Sequence, residues 1–431
     1  MVKISPISGI TYNLDNVTID KVIAPPYDVI PEDEQEELYN LSQYNIVKLI
    51  LGKTSSLDDD NENRYTRSAK YYEEWKKNNV LIQSEKPCIY YYIQNYTTPK
   101  GKSVSRKGFI AKALLEEFSS GSVVPHEYTM GGPKADRLKL MKACKANFSQ
   151  IFMIYSDPLK QIDKALVLPQ KPFIDVTDKQ GIQNIVYIID DETSIAKISE
   201  LMKDKSVLIA DGHHRYETGL AYRDYMRSKN PDQSESGDFN HIMCYFTNLD
   251  DDGLQVFPTH RIITKPVDIE NLLNKLKNHF NITEHAVKED FMEKLEDLSS
   301  DNIVFGICFK NSDKYLLAEL KDKEGVDKIL EEKQIPDILR KLDLTVLHKI
   351  VIGDILGISE EDQIAQNGVK YIKKEEEAFE AVQSNSAEIV FIMASPKIQD
   401  IKEISQAGHR MPQKSTYFYP KLLNGLVINP L

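Results

Sequence analysis

Asp211-Gly212-His213-His214-Arg215 is the stretch whose residue types point most directly to chemistry. A carboxylate, two imidazoles and a guanidinium are crowded around one glycine. The run before it, Val207-Leu208-Ile209-Ala210, has the length of a buried strand. After it, Tyr216 and Leu220 lie four apart, at helical spacing, in a segment that runs on to Met226. The unit reads as strand, tight turn, helix. The first turn of a helix leaves N–H groups without intrahelical partners, and with the macrodipole they attract an anion. Gly212 lets that anion approach the backbone closely. His214 and Arg215 add donors for phosphate oxygens, Arg215 in bidentate fashion. The plainer reading makes Asp211 an N-cap and the histidines surface residues. So many ionisable groups in one turn favour a site.

Other stretches offer candidates of the same kind. Ile23–Ile30 contains two prolines that fix an extended turn and present Tyr27 and Asp28. Aromatic packing and a helix cap account for that pair equally well. His126, Glu127, Thr129, Lys134, Asp136 and Arg137 lie on a Gly/Pro loop and the start of a helix reaching about Phe148. A glycine-rich loop with lysine at a helix start can hold phosphate, although GxxxxGK followed by Ser or Thr is absent. A capped helix with surface ion pairs fits as well. Thr259-His260-Arg261 again sets His beside Arg at a strand end and is expected near the central turn, since consecutive strands tend to be neighbours. A core histidine is the cautious reading. Lys414, Ser415, Thr416 and Lys421 flank the aromatic run Tyr417-Phe418-Tyr419. Frayed tails are seldom so aromatic. The segment is expected to pack back on the body, as a wall of the site or as a structural strand with snorkelling lysines.

These residues need a scaffold of some size. The chain has 431 residues, too long for one core, so two domains are expected. Hydrophobic content of 41% and charged content of 28% fit a soluble globular protein. The net charge of −12 disfavours sequence-independent nucleic-acid binding but leaves room for a local basic pocket. No apolar run approaches the roughly 20 residues of a membrane helix, and the start lacks the apolar core of a signal peptide. The widely spaced Cys88, Cys144, Cys244 and Cys308 read as buried thiols in a reducing compartment, so a cytoplasmic location is expected. The element pattern gives an α+β protein, with a first domain over 1–265 and a smaller α+β domain over 266–431. Asn45–Leu51 reads as a strand and Leu344–Leu356 as a helix. Monomer and homo-oligomer both remain open.

Five ordered motifs carry a resemblance: APPYDVI (Ala24–Ile30), HEYTMGGPKADRL (His126–Leu138), ADGHHRYET (Ala210–Thr218), PTHR (Pro258–Arg261) and MPQKSTYFYPK (Met411–Lys421). Together they resemble a prokaryotic family known as domain of unknown function 1015. More remotely, the DGHHR segment resembles the phosphate-binding motif of the ParB/sulfiredoxin-like fold, which includes free-serine kinases. That likeness implies a mixed-sheet core in the first two-thirds of the chain. His213 stands where sulfiredoxins have their reactive cysteine, which disfavours sulfinic acid reduction. His214 and Arg215 match the phosphate-contacting pair, and Asp211-Gly212-His213 resembles a segment of the serine kinases. The implied activity is transfer of phosphate from ATP, or another nucleotide, with Mg²⁺, to a small hydroxyl compound such as free L-serine. Gly212, His214 and Arg215 would cradle phosphate. Lys134, Arg137 or Lys414 would neutralise charge. Asp211, Glu127 and Asp28, in that order, are candidates for the metal. Glu127 is favoured as base, with His213 as another proton acceptor. A metal-dependent hydrolase using His213 and Glu217 is one alternative, and a non-catalytic nucleotide sensor is the other.

Overall fold

The apolar run ending at Asp211 becomes the second strand of a nine-stranded mixed sheet. Its strands are β1 (Ile4–Ser5), β2 (Ile89–Thr97), β3 (Ser103–Leu114), β4 (Val123–Pro125), β5 (Ile151–Tyr155), β6 (Ile174–Thr177), β7 (Gln183–Ile189), β8 (Val207–Asp211) and β9 (His241–Asn248). Their order is β4-β8-β5-β9-β3-β2-β7-β6, with β1 added to β3. The β8–β4 and β9–β5 pairs are parallel and the other pairs antiparallel. The computed structural model describes residues 1–98, 101–127, 131–233, 235–412 and 414–431. Thr129 of the sequence-derived cluster lies outside them. The protein is thus α+β.

Contacts divide the chain into two units. The first is Met1–Pro125, Thr129–Gln255 and Pro420–Leu431; the second is His126–Tyr128 and Val256–Tyr419. The boundary falls at Gln255 rather than near 265. His260–Ile263 is a strand of the second unit's own sheet, paired with Val369–Ile372 and Ile389–Ile392. His260 and Arg261 therefore belong to that second sheet, and Thr259 lies just before it. The last segment, Pro420–Leu431, belongs to the first unit. The second unit carries a six-stranded antiparallel sheet.

Two helices of the first unit matter most here. α1 (Gly131–Cys144) packs against α2 (His213–Lys229). On α2, His213, Tyr216, Gly219, Leu220 and Arg223 are buried at steps of three and four, the spacing of one helix face. Gly219 permits the close approach: a Cβ there would lie 2.6 Å from Ile242 Cδ1. The Tyr216 hydroxyl donates to the Glu116 carbonyl at 2.8 Å.

One sequence expectation changes. Val47–Ile50 is a helix, not a strand. The Asn45 side chain, just before the Ile46 N-cap, accepts from Val47 N at 2.9 Å and donates to the carbonyls of Lys21 and Ile23. A short apolar run fits either state. The expected helix over Leu344–Leu356 forms, its larger part, Leu347–Ile355, wound as a π-helix. No helix among the described residues is long and apolar enough to cross a membrane. All four cysteines are buried free thiols.

Gly108, on β3 opposite Thr247, tests the sheet's register. A Cβ there would sit 2.3 Å from the Phe246 carbonyl oxygen, a backbone atom that cannot swing away. Gly108→Ala is expected to destabilise the protein by about 1–3 kcal/mol, read as a lower urea midpoint. An unchanged midpoint would contradict that close approach.

Candidate functional site

Strand β8 delivers Asp211 to the start of α2, and Gly212 makes the turn with φ +96°. Only glycine adopts that backbone at little cost. A Cβ on Gly212 would also lie 3.0 Å from the Arg215 guanidinium. One Asp211 carboxylate oxygen accepts from Lys421 Nζ at 2.7 Å and the other from Arg215 at 2.6 Å. Burial pushes this carboxyl up, but Lys421, Arg215 and more weakly His213 outweigh it and hold the group well below the ordinary carboxylate range. Arg215 also donates to the Gln150 carbonyl. The bidentate phosphate role read from the sequence is thus altered: two of its guanidinium nitrogens already serve Asp211 and Gln150. His213 is buried on the sheet-facing side of α2. His214 is half-buried, and its carbonyl accepts from Thr218 Oγ1 at 2.7 Å.

Helix α1 brings up Lys134 and Arg137. Lys134 Nζ lies 2.5 Å from Glu217, one turn along α2 from His213. Arg137 is buried, donates to the Ile50 carbonyl at 2.6 Å and to Asp136 at 2.7 Å, and lies 3.9 Å over the Tyr27 ring. Burial raises the Tyr27 hydroxyl, while Arg137 and then Arg215 pull it back, so both cations act on this ring. Asp136 also accepts from Tyr65 and Arg64. Asp28 is exposed on the short turn Tyr27–Val29.

Lys421 is the cation that the sequence undervalued in favour of Lys414. A buried polar layer fixes it. Fully buried Arg106 donates to the Pro420 carbonyl at 2.6 Å and to Gln94, and stacks on Phe152 at 4.5 Å. Gln94 donates to the Lys421 carbonyl at 3.1 Å and to Asn184 at 3.0 Å, and Tyr92 donates to the same Asn184 oxygen at 2.5 Å. Gln150, whose carbonyl holds Arg215, donates through its amide to the Leu423 carbonyl at 3.0 Å. The only sequence hint was Lys421 itself, directly after Pro420.

Glu127 and Lys414 belong to the second unit. Glu127 accepts from Thr416 Oγ1 at 3.3 Å, and that hydroxyl lies 2.7 Å from His126 Nε2. Lys414 has φ +58°, and its carbonyl accepts from Arg261 at 3.1 Å. Arg261 is fully buried and donates through Nε to His348 Nε2 at 3.0 Å. His348 Nδ1 therefore carries the proton towards Gln363 Oε1, 2.6 Å away. Burial, and then the Arg261 charge, push His348 down to about 3.

Metal chemistry fits poorly. Both Asp211 oxygens are held by cations, so magnesium would have to displace them. Among the described residues no group of three or more His, Cys, Asp or Glu could hold an ion. The zinc pair suggested by spacing is separated by function: His213 is buried and Glu217 is paired with Lys134.

The sequence model of the family described as "Protein of unknown function (DUF1015)" matches residues 4–345. The chain belongs to the DUF1015 family. A comparison with curated proteins gives no match. Solved structures similar to this DUF1015 chain include a conserved hypothetical protein from Pyrococcus furiosus, 14% identical with TM-score 0.32, over 69% of this chain and 87% of that one. A free serine kinase in complex with AMP is 14% identical with TM-score 0.31, over 69% and 83%. SbnI with C-terminal truncation from Staphylococcus aureus is 9% identical with TM-score 0.34, over 70% and 82%. At such scores we rest nothing on these likenesses.

Asp211→Asn removes the charge that Arg215 and Lys421 share and should destabilise the protein by about 2 kcal/mol at pH 7. A carboxyl held low in the folded state contributes stability above its unfolded value of about 3.9. That contribution fades as pH falls through the folded value. Urea unfolding of wild type and variant should therefore differ fully at pH 7, and the difference should begin to shrink as pH falls below about 4. A gap that persisted undiminished in acid would exclude an ionic origin.

Proposed function

We propose that the chain is a phosphotransferase that holds a nucleotide phosphate at the Asp211–Arg215 turn and passes phosphate to a small hydroxyl compound such as free L-serine. The observation that carries this reading is a local excess of positive charge at a helix start. One carboxylate, Asp211, is shared by two cations, Arg215 and Lys421. A second, Asp136, is shared by Arg64 and Arg137. Each trio keeps one positive charge; the first sits at the dipole end of a 17-residue helix, and Arg137 of the second acts with Arg215 on the Tyr27 ring. An anion completes that balance.

The residues divide the work. Gly212 opens the turn to a phosphate, with His214 beside it at the helix start. Lys421, Arg215, Lys134 and Arg137 supply charge that offsets the negative oxygens as the phosphoryl group moves. Asp211 is held too acidic to accept a proton at neutral pH, so its role is to fix Arg215 and Lys421 in place. The acceptor's hydroxyl proton then goes to another base. Serine as acceptor rests on the sequence likeness of Asp211-Gly212-His213. No step is assigned to magnesium.

The test is incubation of the full chain with ATP or ADP, a magnesium salt and a pool of serine, threonine and small polyols, followed by mass spectrometry. A phosphorylated acceptor is expected. The double variant Arg215→Met, Lys421→Met, checked for folding by circular dichroism, should bind nucleotide at least tenfold more weakly. A folded double variant that titrates with nucleotide like wild type would sink the assignment. Nucleotide binding without any phosphorylated product would leave the sensor alternative in its place.

A further inference from the structure

The second unit contains a cavity of about 520 Å³ that the proposed phosphate site does not use. That volume falls within the roughly 300–1,000 Å³ typical of small-ligand pockets. Its wall is part apolar, from Val326, Leu344 and Met411, and part charged with both signs.

Arg340 lines the cavity with a side chain only 12% exposed. Its Nε is buried and has no hydrogen-bond partner among the described residues. Its other nitrogens are held at long range: Nη1 donates to Asp327 at 3.3 Å and Nη2 lies 3.5 Å from Asp337. Both carboxylates are more than half exposed to water. A planar guanidinium so weakly engaged is suited to an incoming carboxylate.

Asp343 and Asp400 also line the cavity. Burial is the largest cause of the rise that brings Asp343 up to about 6; the Asp400 charge adds to it, against the pull of the Leu344 amide, Arg261 and Lys397. Asp400 is likewise raised by burial, with Lys397 opposing and Glu403 adding. Lys397 donates to the Ser300 carbonyl. Two desolvated carboxyls facing one cavity are both eased by a cation placed there.

We propose that this cavity binds a small zwitterion, a free amino acid or short peptide, with its carboxylate on Arg340 and its ammonium between Asp343 and Asp400. Neither a simple anion nor a simple amine satisfies both walls. The inference does not depend on the phosphotransferase reading, because it uses none of the same residues.

Calorimetric titration of the full chain with single L-amino acids and with unmodified dipeptides tests it, and shows which of the two sources is preferred. For the best binder, the N-acetyl form lacks the ammonium and the C-terminal amide lacks the carboxylate. Each blocked form is expected to bind at least tenfold more weakly. Asp343→Asn should erase the difference between free and N-acetyl forms. Arg340→Gln should erase that between free and amide forms. The paired loss separates a binding role from a folding defect, since a misfolded variant would lose every form alike. Should that happen, competition between the free and blocked forms on wild type alone decides. The proposal is overturned if no amino acid or dipeptide binds, or if the blocked forms bind as well as the free ones.

Discussion

The carboxylate of Asp211 ties the strand and the helix on either side of it to a segment 210 positions later in the chain. It ends a strand, faces the guanidinium one helical turn on, and receives an ammonium from residue 421. Replacing such a partly buried ionic group by an apolar one can be neutral for stability, whereas removing one partner is costly. The group is therefore better understood as an instruction about place than as a source of stability. It sets the distance between the start of α2 and the C-terminal segment. Gly212 makes that spacing possible, because any side chain there would push against Arg215.

Behind this ionic group lies a second layer without carboxylates. Arg106, Gln94, Asn184 and Tyr92 are all fully buried, and their bonds end on the Pro420 and Lys421 carbonyls. A buried guanidinium is expensive unless it is well bonded. Here Phe152 stacks on one side and two acceptors take the same nitrogen, while Nε and Nη1 are buried without a hydrogen-bond partner among the described residues, so part of that cost remains. The layer holds the backbone from which Lys421 reaches Asp211. Positive charge at the turn therefore depends on polar residues in the middle of the sheet.

Much of this arrangement could be read from the sequence, for local reasons. The strand, turn and helix around Asp211 follow from an apolar run, one glycine and a three-four spacing. The helix carrying Lys134 and Arg137 follows from its loop. Lys421 could not be ranked above Lys414, because what separates them is a pair of carbonyl bonds from strands more than 300 positions earlier. Arg106 alternates with its neighbours as any strand residue would, so nothing local marks it as buried. Asn45–Leu51 misled because a short apolar run fits helix or strand equally, and Asn45 is bonded to the Lys21 and Ile23 carbonyls. The boundary near 265 misled because His260–Ile263 finds its partners over a hundred residues later. For Lys421 and for the boundary the deciding contacts are non-local.

The first unit is discontinuous: the long segment Val256–Tyr419 interrupts it before Pro420–Leu431 returns. On the ribosome, the large sheet emerges long before the strip that covers Gln94 and Arg106. Until that strip arrives, a cationic side chain and several amides must stay hydrated or find temporary partners. Closing so wide a loop is slow but adds little extra entropic cost with length. The nascent first unit thus waits, incomplete, while an entire second body is synthesised, and its ionic centre is among the last features of the molecule to form.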